Sequence, residues 1–441
     1  MARTTKKARQ QLIVDTLEEA FADLMTADPR AFRGKFRKMA SDPFAFYRGS
    51  ACLFYADVTK VKDAWADDRT SRVWIHGDLH VENFGSYMNS DGRLVFDVND
   101  FDEAYVGHFS WDLRRFVGSL ALMGWQKALP EDAIRSLVGA YLRAYLSQVN
   151  HYATVDDDND DFALHLGNTD GPVHAVLAKA RLTSRVAMLD SMTRFEEHTR
   201  VFNEDSSIRR LGQPERRKVE RAFAAYLETI PEDKRFDREL FYEVRDVVGK
   251  SGFGIGSAGM PAYNVLVEGY SQSLDNDVVL SMKQASVPAV SRFVDSSTVD
   301  TYFHNEGHRT VVSQRALQVH TDPLLGHTSL DGVGYVVSEI SPYESDLDWD
   351  LIAEPDEMAG VVKALGQATA KVHCASDEDS DQDLVTFQTE EAIRTVLEGR
   401  RKEFVADLTD FAIDYAMTVR HDHALFVDAF REGRIGGVSA T

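Results

Sequence analysis

The sequence predicts an α+β protein, and three observations carry that prediction. Long stretches toward both ends place apolar residues at helical spacing, as with Leu12, Ile13, Leu17, Phe21 and Leu24 in 5–28. Between 236 and 345 the pattern changes to β-branched, strand-like runs separated by glycine-containing turns. The chain has 441 residues, 44% of them hydrophobic, which is ample for a large core divided into subdomains. The expected division is a helical part over 1–235, a β-rich part over 236–345, and helices over 346–441 that return to the first part.

Composition narrows the function classes. The formal net charge is −22, so the chain should repel nucleic-acid backbones and anionic membranes. The N-terminus, M-A-R-T-T-K-K-A-R-Q-Q, is basic, but no apolar segment of a secretory signal follows it, and no run is long enough to span a bilayer. Cys52 and Cys374 stand far apart, which argues against a disulfide framework or a zinc cluster and fits a reducing cytoplasm. No nucleic acid and no membrane are expected as partners.

Taken in order, the helix over 5–28 ends at Asp28–Pro29. A basic segment, A-F-R-G-K-F-R-K-M, follows, and then P-F-A-F-Y-R-G-S. Arg48 in that segment suits either a phosphate or a surface carboxylate. Val73–Ile75 and Leu94–Val98 read as short strands. Between them runs W-I-H-G-D-L-H-V-E-N-F-G, in which His76, Asp78 and Asn83 fit H-x-D-x-x-x-x-N. Asn89–Gly92 reads as a turn that brings a second acid, Asp100 in F-D-V-N-D-F-D-E-A, back beside them.

Phosphoryl transfer to a hydroxyl needs an acid that orients the hydroxyl and accepts its proton. It also needs an amide and a second carboxylate to hold Mg²⁺ against the phosphates. Asp78 suits the first role, and Asn83 with Asp100 the second. Taken by themselves, Asp78 and Asn83 also suit a capped turn. His76 and His80 are four apart, as in a metal pair, but Gly77 argues against a helix there.

Helices are expected over 111–150, 174–200 and 214–230. The acidic run Asp156–Asp161 lacks the register of a calcium loop and reads as solvated. Gly254, Gly256 and Gly259, with Ser257 between, fit G-x-G-x-x-G. A dinucleotide site would open directly into a helix. Here Met260–Pro261 and the strand-like Tyr263–Val267 follow, so the loop joins two strands and suits ATP phosphates, or else is a plain hairpin. Lys283 sits on the next strand, Val278–Ala285. A helix is expected over 305–320, with Glu306 near its start and Gln314 farther along. Asp331–Gly332 marks a hairpin leading into Val333–Ile340. A polar link over 341–356, helices over 357–374 and 388–432, and a frayed tail over 433–441 complete the chain.

His76–Gly77–Asp78–Leu79–His80 with Asn83, then Asp100–Phe101–Asp102, resembles the catalytic and metal loops of protein-kinase-like phosphotransferases, aminoglycoside phosphotransferases especially. In that resemblance Asp112 of W-D-L is the aspartate that steadies the catalytic loop. Lys283 contacts ATP phosphates with Glu306, or Gln314 as a neutral alternative, as its partner. Glu339 and Ile340 lie at the hinge that meets adenine, and A-T-A-K-V-H-C is the helix that ordinarily precedes H-G-D. The parts come in rotated order, so the resemblance implies a bilobal kinase-like fold, circularly permuted. F-Y-R-G-S, H-G-D-L-H, F-D-V-N-D-F-D-E, the glycine loop, M-K-Q-A and S-Q-R-A-L-Q together also resemble a bacterial family known only as domain of unknown function 2252. The expectation is an ATP- and Mg²⁺-dependent phosphotransferase acting on a small-molecule hydroxyl, with a nucleotide and that acceptor as its partners. The alternatives are an AMP transferase on the same fold and a non-catalytic nucleotide-binding module.

Overall fold

The computed structural model describes residues 5–155, 162–205, 208–236, 241–250, 259–294, 299, 301–318, 320–378, 380 and 382–441. The α+β prediction holds. Among the described residues, no helix is long and apolar enough to cross a membrane.

The first helix, Lys6–Ala27, starts on the side chain of Thr5 and buries Ile13, Val14 and Leu17. Asp28 both stops it and starts the next helix, Pro29–Met39, by accepting the Ala31 amide at 2.9 Å. Four long helices form the rest of the body: Phe109–Gln126, Glu131–Tyr152, Pro355–Cys374 and Arg401–Arg431. Their apolar faces and those of the first two helices enclose one core.

A six-stranded antiparallel sheet makes the second part. Its strand order is Gly326–Leu330, Val333–Glu339, Val278–Gln284, Ala262–Val267, Val244–Lys250 and Ile208–Arg210. The central strands are buried on both faces, which explains their nearly continuous apolar runs. Val265, Leu280 and Val337 meet Phe223 and Tyr226 of the helix Gln213–Leu227. Leu266 and Val279 meet Leu189 and Phe202 on the other face. The hairpin at 331–332 has φ of +52° at Asp331 and +85° at Gly332, the two-residue turn that suits strand twist.

Three expectations are corrected. The β-rich part begins before 236, because Ile208–Arg210 is its edge strand and the helix Gln213–Leu227 covers one of its faces. Residues 174–200 are not one helix: Gly171–Arg181 and Arg185–Met192 are helical, and Thr193–Glu196 pairs with Thr199–Phe202 as a hairpin. The tail over 433–441 is packed, with Ile435 and Val438 buried and the Arg33 side chain donating to the Ser439 carbonyl at 2.8 Å. The acidic run Asp156–Asp161 lies outside the described residues.

Candidate functional site

The site is built around a four-stranded sheet and a two-stranded one. Phe84–Met88 and Leu94–Val98 pair across the Asn89–Gly92 turn, as expected, and return the chain so that the Asn99 amide donates to the Asn83 carbonyl at 3.0 Å. Val73–Ile75 pairs with Tyr105–Gly107, closing the other end of the stretch. Gly77 is required between them. Its φ is +82°, and a Cβ there would lie 2.0 Å from the Glu103 carbonyl oxygen.

Asp112 is fully buried and fixes the loop. It accepts the backbone amides of His76 at 2.6 Å and Gly77 at 2.9 Å, and lies 3.3 Å from His373 Nε2. His373 belongs to the helix Pro355–Cys374, so the late helix reaches the early loop. The His76 ring bridges two strands of the loop. The Asp78 amide donates to its Nδ1 at 3.3 Å, which leaves the proton on Nε2 to be donated to the Asn99 carbonyl at 2.9 Å.

The Asp78 carboxylate is held through one oxygen. Arg115, on the helix Phe109–Gln126 and fully buried, brings Nε within 2.8 Å and Nη2 within 2.7 Å of Oδ1. The guanidinium in turn lies 3.7 Å from the centre of the Tyr47 ring and donates to the Tyr47 carbonyl at 2.7 Å. Oδ2 of Asp78 has no hydrogen-bond partner among the described residues, and Asp78 lines a pocket of about 300 Å³. Asn83 gives its amide nitrogen to the Asp78 carbonyl at 2.8 Å, which leaves its oxygen for a ligand.

Asp100 adopts φ +63°, a left-handed conformation that costs a non-glycine residue about 1–3 kcal/mol and that aspartate tolerates better than most. Its carboxyl is pushed up to about 6, first by exclusion from water and then by the charge of Asp102, while Lys283 pulls it back. Asp100 lines both the 300 Å³ pocket with Asp78 and a neighbouring cleft of about 440 Å³. Lys283, Gln314, Glu339 and Ile340 line that cleft from the six-stranded sheet and its adjoining helix, Glu306–Gln318. The described residues on either side of the glycine loop, Lys250 and Ala262, line it too. Gly254, Gly256 and Ser257 themselves lie outside the described residues. Gly259 has φ +81° and sits against Phe32, and Met260 after it lines the pocket that holds Asp78.

Glu306 does not join this group. It pairs with Arg309 three residues on, Nε to Oε2 at 2.6 Å. Gln314 is the residue of the two that lines the cleft with Lys283, although its amide donates to Gln318 at 3.0 Å. Lys283 makes no ion pair among the described residues. At the expected hinge both backbone N–H groups are committed, Glu339 to the Asp322 carboxylate at 2.8 Å and Ile340 to the Val279 carbonyl at 2.8 Å. The Glu339 side chain pairs with Arg185. An adenine here would therefore have to use carbonyls or displace Asp322. Arg48 pairs with Glu82 at the pocket rim.

Two buried arginines stand out that sequence reasoning missed. Arg309 donates to the carbonyls of Ala104, Asp102 and Ser286, locking the acidic turn to the helix Glu306–Gln318. Arg115 carries Asp78. It lies three residues after Asp112 on one helix face, a spacing that would have pointed to it.

The Asp100 carboxylate is a hard donor that suits Mg²⁺, and it is crowded by Asp102, so that a cation would relieve the repulsion. The Asn83 amide oxygen is of the right kind, but Asn83 is buried and is not among the residues lining either cavity. No cage of three His, Cys, Asp or Glu converges among the described residues. Magnesium needs none where phosphates complete its shell.

Fold and site thus define an α+β protein with an acid-rich cleft between a helical body and an antiparallel sheet. The chain belongs to the family described as an uncharacterised protein conserved in bacteria, DUF2252, whose model matches residues 27–429. No curated protein and no solved structure matches the chain.

Proposed function

We propose that this protein is a Mg²⁺- and ATP-dependent phosphotransferase with a kinase-like fold in circularly permuted order, acting on a small-molecule hydroxyl. The observation that carries this reading is the sharing of Asp100 between two adjoining cavities. One cavity holds Lys283 and the ends of the strands that flank the glycine loop, and the other holds Asp78. A nucleotide in the first would present its terminal phosphate at Asp100, and an acceptor in the second would meet it beside Asp78. The contact of His373 with Asp112 supports the permutation, because a helix late in the chain stands where the resemblance expects the one preceding the H-G-D loop.

Lys283 would bind phosphate oxygens, and Asn83 with Asp100 would hold the metal. Magnesium, when bound, would offset the charge on the phosphates. Asp78 would accept the acceptor's hydroxyl proton on Oδ2 as the acceptor oxygen forms its bond to the γ-phosphorus and the bond to ADP breaks. Arg115 would keep that oxygen aimed at the pocket by fixing the other.

The test is transfer of label from ATP carrying ³²P at either the γ or the α position to a mixture of small hydroxylated compounds. Label passed on from the γ position alone supports the reading. Label passed on from the α position makes the chemistry AMP transfer. A chain that transfers neither label and binds no ATP is not a phosphotransferase.

A further inference from the structure

The pocket that holds Asp78 contains a cation that the proposed chemistry does not use. Lys35 is 5% exposed and lines the pocket floor. It comes from the basic segment of the helix Pro29–Met39, where Phe32, Phe36 and Met39 face the core. Lys35 follows Phe32 by three positions and so points inward with them. Its ammonium lies 4.0 Å from the centre of the Phe21 ring and 5.6 Å from that of Phe32. It makes no ion pair with any described residue.

The other cations of this pocket are committed. Arg48 pairs with Glu82, and Arg292 donates to the carbonyls of Glu19 and Ala20, each at 3.2 Å. None of the pocket's acids forms an ion pair with Lys35 among the described residues. Asp78 is held by Arg115 through one oxygen, Glu103 accepts the Ala289 amide, and Asp100 and Asp102 line the pocket on the side toward the cleft. A buried ammonium faced by two aromatic rings is left short of the anion that its loss of water requires. Burial lowers its pKa to about 8, with Cys52, Glu103 and Asp78 only partly opposing the shift. The fold needs just the apolar stem here, and methionine would pack as well. The charge therefore points to a ligand.

We propose that Lys35 anchors an anionic group of the molecule that fills this pocket, so that the acceptor is a hydroxylated compound carrying a carboxylate or a phosphate. The word acceptor rests on the phosphotransferase reading, whereas the anion site stands on Lys35 and the pocket alone. Glu19 and Asp23, exposed on the first helix, form the rim, and Lys35 lies deep. The ligand's anionic end accordingly enters first and its hydroxyl lies nearer Asp78.

The experiment is calorimetry of the full chain with three matched probes: glycerol 3-phosphate, glycerate and glycerol. At least one anionic probe should bind about tenfold or more tighter than glycerol. Binding by the first alone assigns a phosphate ester, and binding by the second alone a carboxylate. Lys35→Met should abolish the preference while the protein still melts cooperatively, and Lys35→Arg should keep it. Equal binding of the three probes, binding of none, or a preference that survives Lys35→Met overturns the proposal. Transfer from ATP is scored separately. A chain that phosphorylates neutral polyols and ignores both anions loses the anchor and keeps the phosphotransferase reading. A chain that binds anions through Lys35 and binds no Mg·ATP does the reverse.

Discussion

Two buried lysines in the helical body have opposite surroundings. Lys371, in the helix Pro355–Cys374, is 4% exposed, pairs with the buried Asp97 and donates to the carbonyls of Leu317 at 3.0 Å and Gln318 at 3.3 Å. It ties the late helix to the strand Leu94–Val98, which leads into Asp100, and to the end of the helix Glu306–Gln318. Lys35 is as deeply buried, lies against two aromatic rings and an open pocket, and makes no ion pair among the described residues. Lys283, in the cleft, also has no ion-pair partner among the described residues, but it is exposed, so its ammonium is met by water. A buried charge with every bond made belongs to the architecture, and one with bonds to spare is available to a ligand. Asp78 shows both states in one side chain, with Oδ1 bound to Arg115 and Oδ2 unpartnered.

The sharpest way to use this contrast is to remove charges of each kind. Asp78→Asn should lower turnover by about 10²- to 10⁴-fold, the usual scale for a positioned acid–base group, with Mg·ATP affinity nearly unchanged. Asparagine is preferable to alanine, because its amide oxygen can still accept from the buried Arg115 guanidinium, which alanine would leave without an acceptor. Nearly full turnover in Asp78→Asn would show that Oδ2 is not the proton acceptor.

Lys371→Met should cost about 3–5 kcal/mol of stability, since it leaves the buried Asp97 carboxyl without the cation that offsets its burial. Urea denaturation measures this, and a loss below about 1 kcal/mol would break the contrast.

Lys35→Met should do the opposite and stabilise the empty protein by about 1–3 kcal/mol at pH 7. Lys35 loses its proton near pH 8 when folded, and a lysine in the unfolded chain near 10.5. Between those values the unfolded chain binds more protons, so the wild type gains stability as pH rises from about 8 toward 10.5. Below about 8 both forms are charged and the folded one bears the full cost. The advantage of Lys35→Met should therefore be largest at neutral pH and vanish by about pH 10.5. Melting curves across this range check the sign, and an advantage that grows with pH contradicts it.

Lys283→Met is the mildest of the set. It should weaken Mg·ATP by about tenfold and leave stability within about 0.5 kcal/mol, because this exposed lysine makes no ion pair among the described residues.

Much of the site was legible because its signals are local. H-x-D-x-x-x-x-N, the Asn89–Gly92 turn and the return to Asp100 all lie within one short stretch, and the turn chemistry fixed how that stretch folds. Asp112 was legible through its W-D-L setting. What escaped depends on which face of an element turns inward. Arg114 and Arg115 are adjacent, and only packing against Tyr47 distinguishes the second as the residue that holds Asp78. Lys35 sat in a segment read simply as basic. The strand Ile208–Arg210 is short and polar, and its pairing with Val248–Lys250 is a long-range choice that no local pattern encodes. The tail over 433–441 looked free on composition, yet Ile435 and Val438 find a core that other parts of the chain supply.

The central claim is that the cleft shared by Asp100 and Lys283 binds ATP with magnesium. The direct measurement is calorimetry of ATP, with and without Mg²⁺, on the wild type and on Asp100→Asn, a substitution that keeps a side chain tolerant of left-handed backbone. The account predicts that the wild type binds ATP more tightly with Mg²⁺ and that Asp100→Asn, melting as the wild type does, loses that gain. No ATP binding by the wild type, or an unchanged Mg²⁺ effect in folded Asp100→Asn, would contradict it.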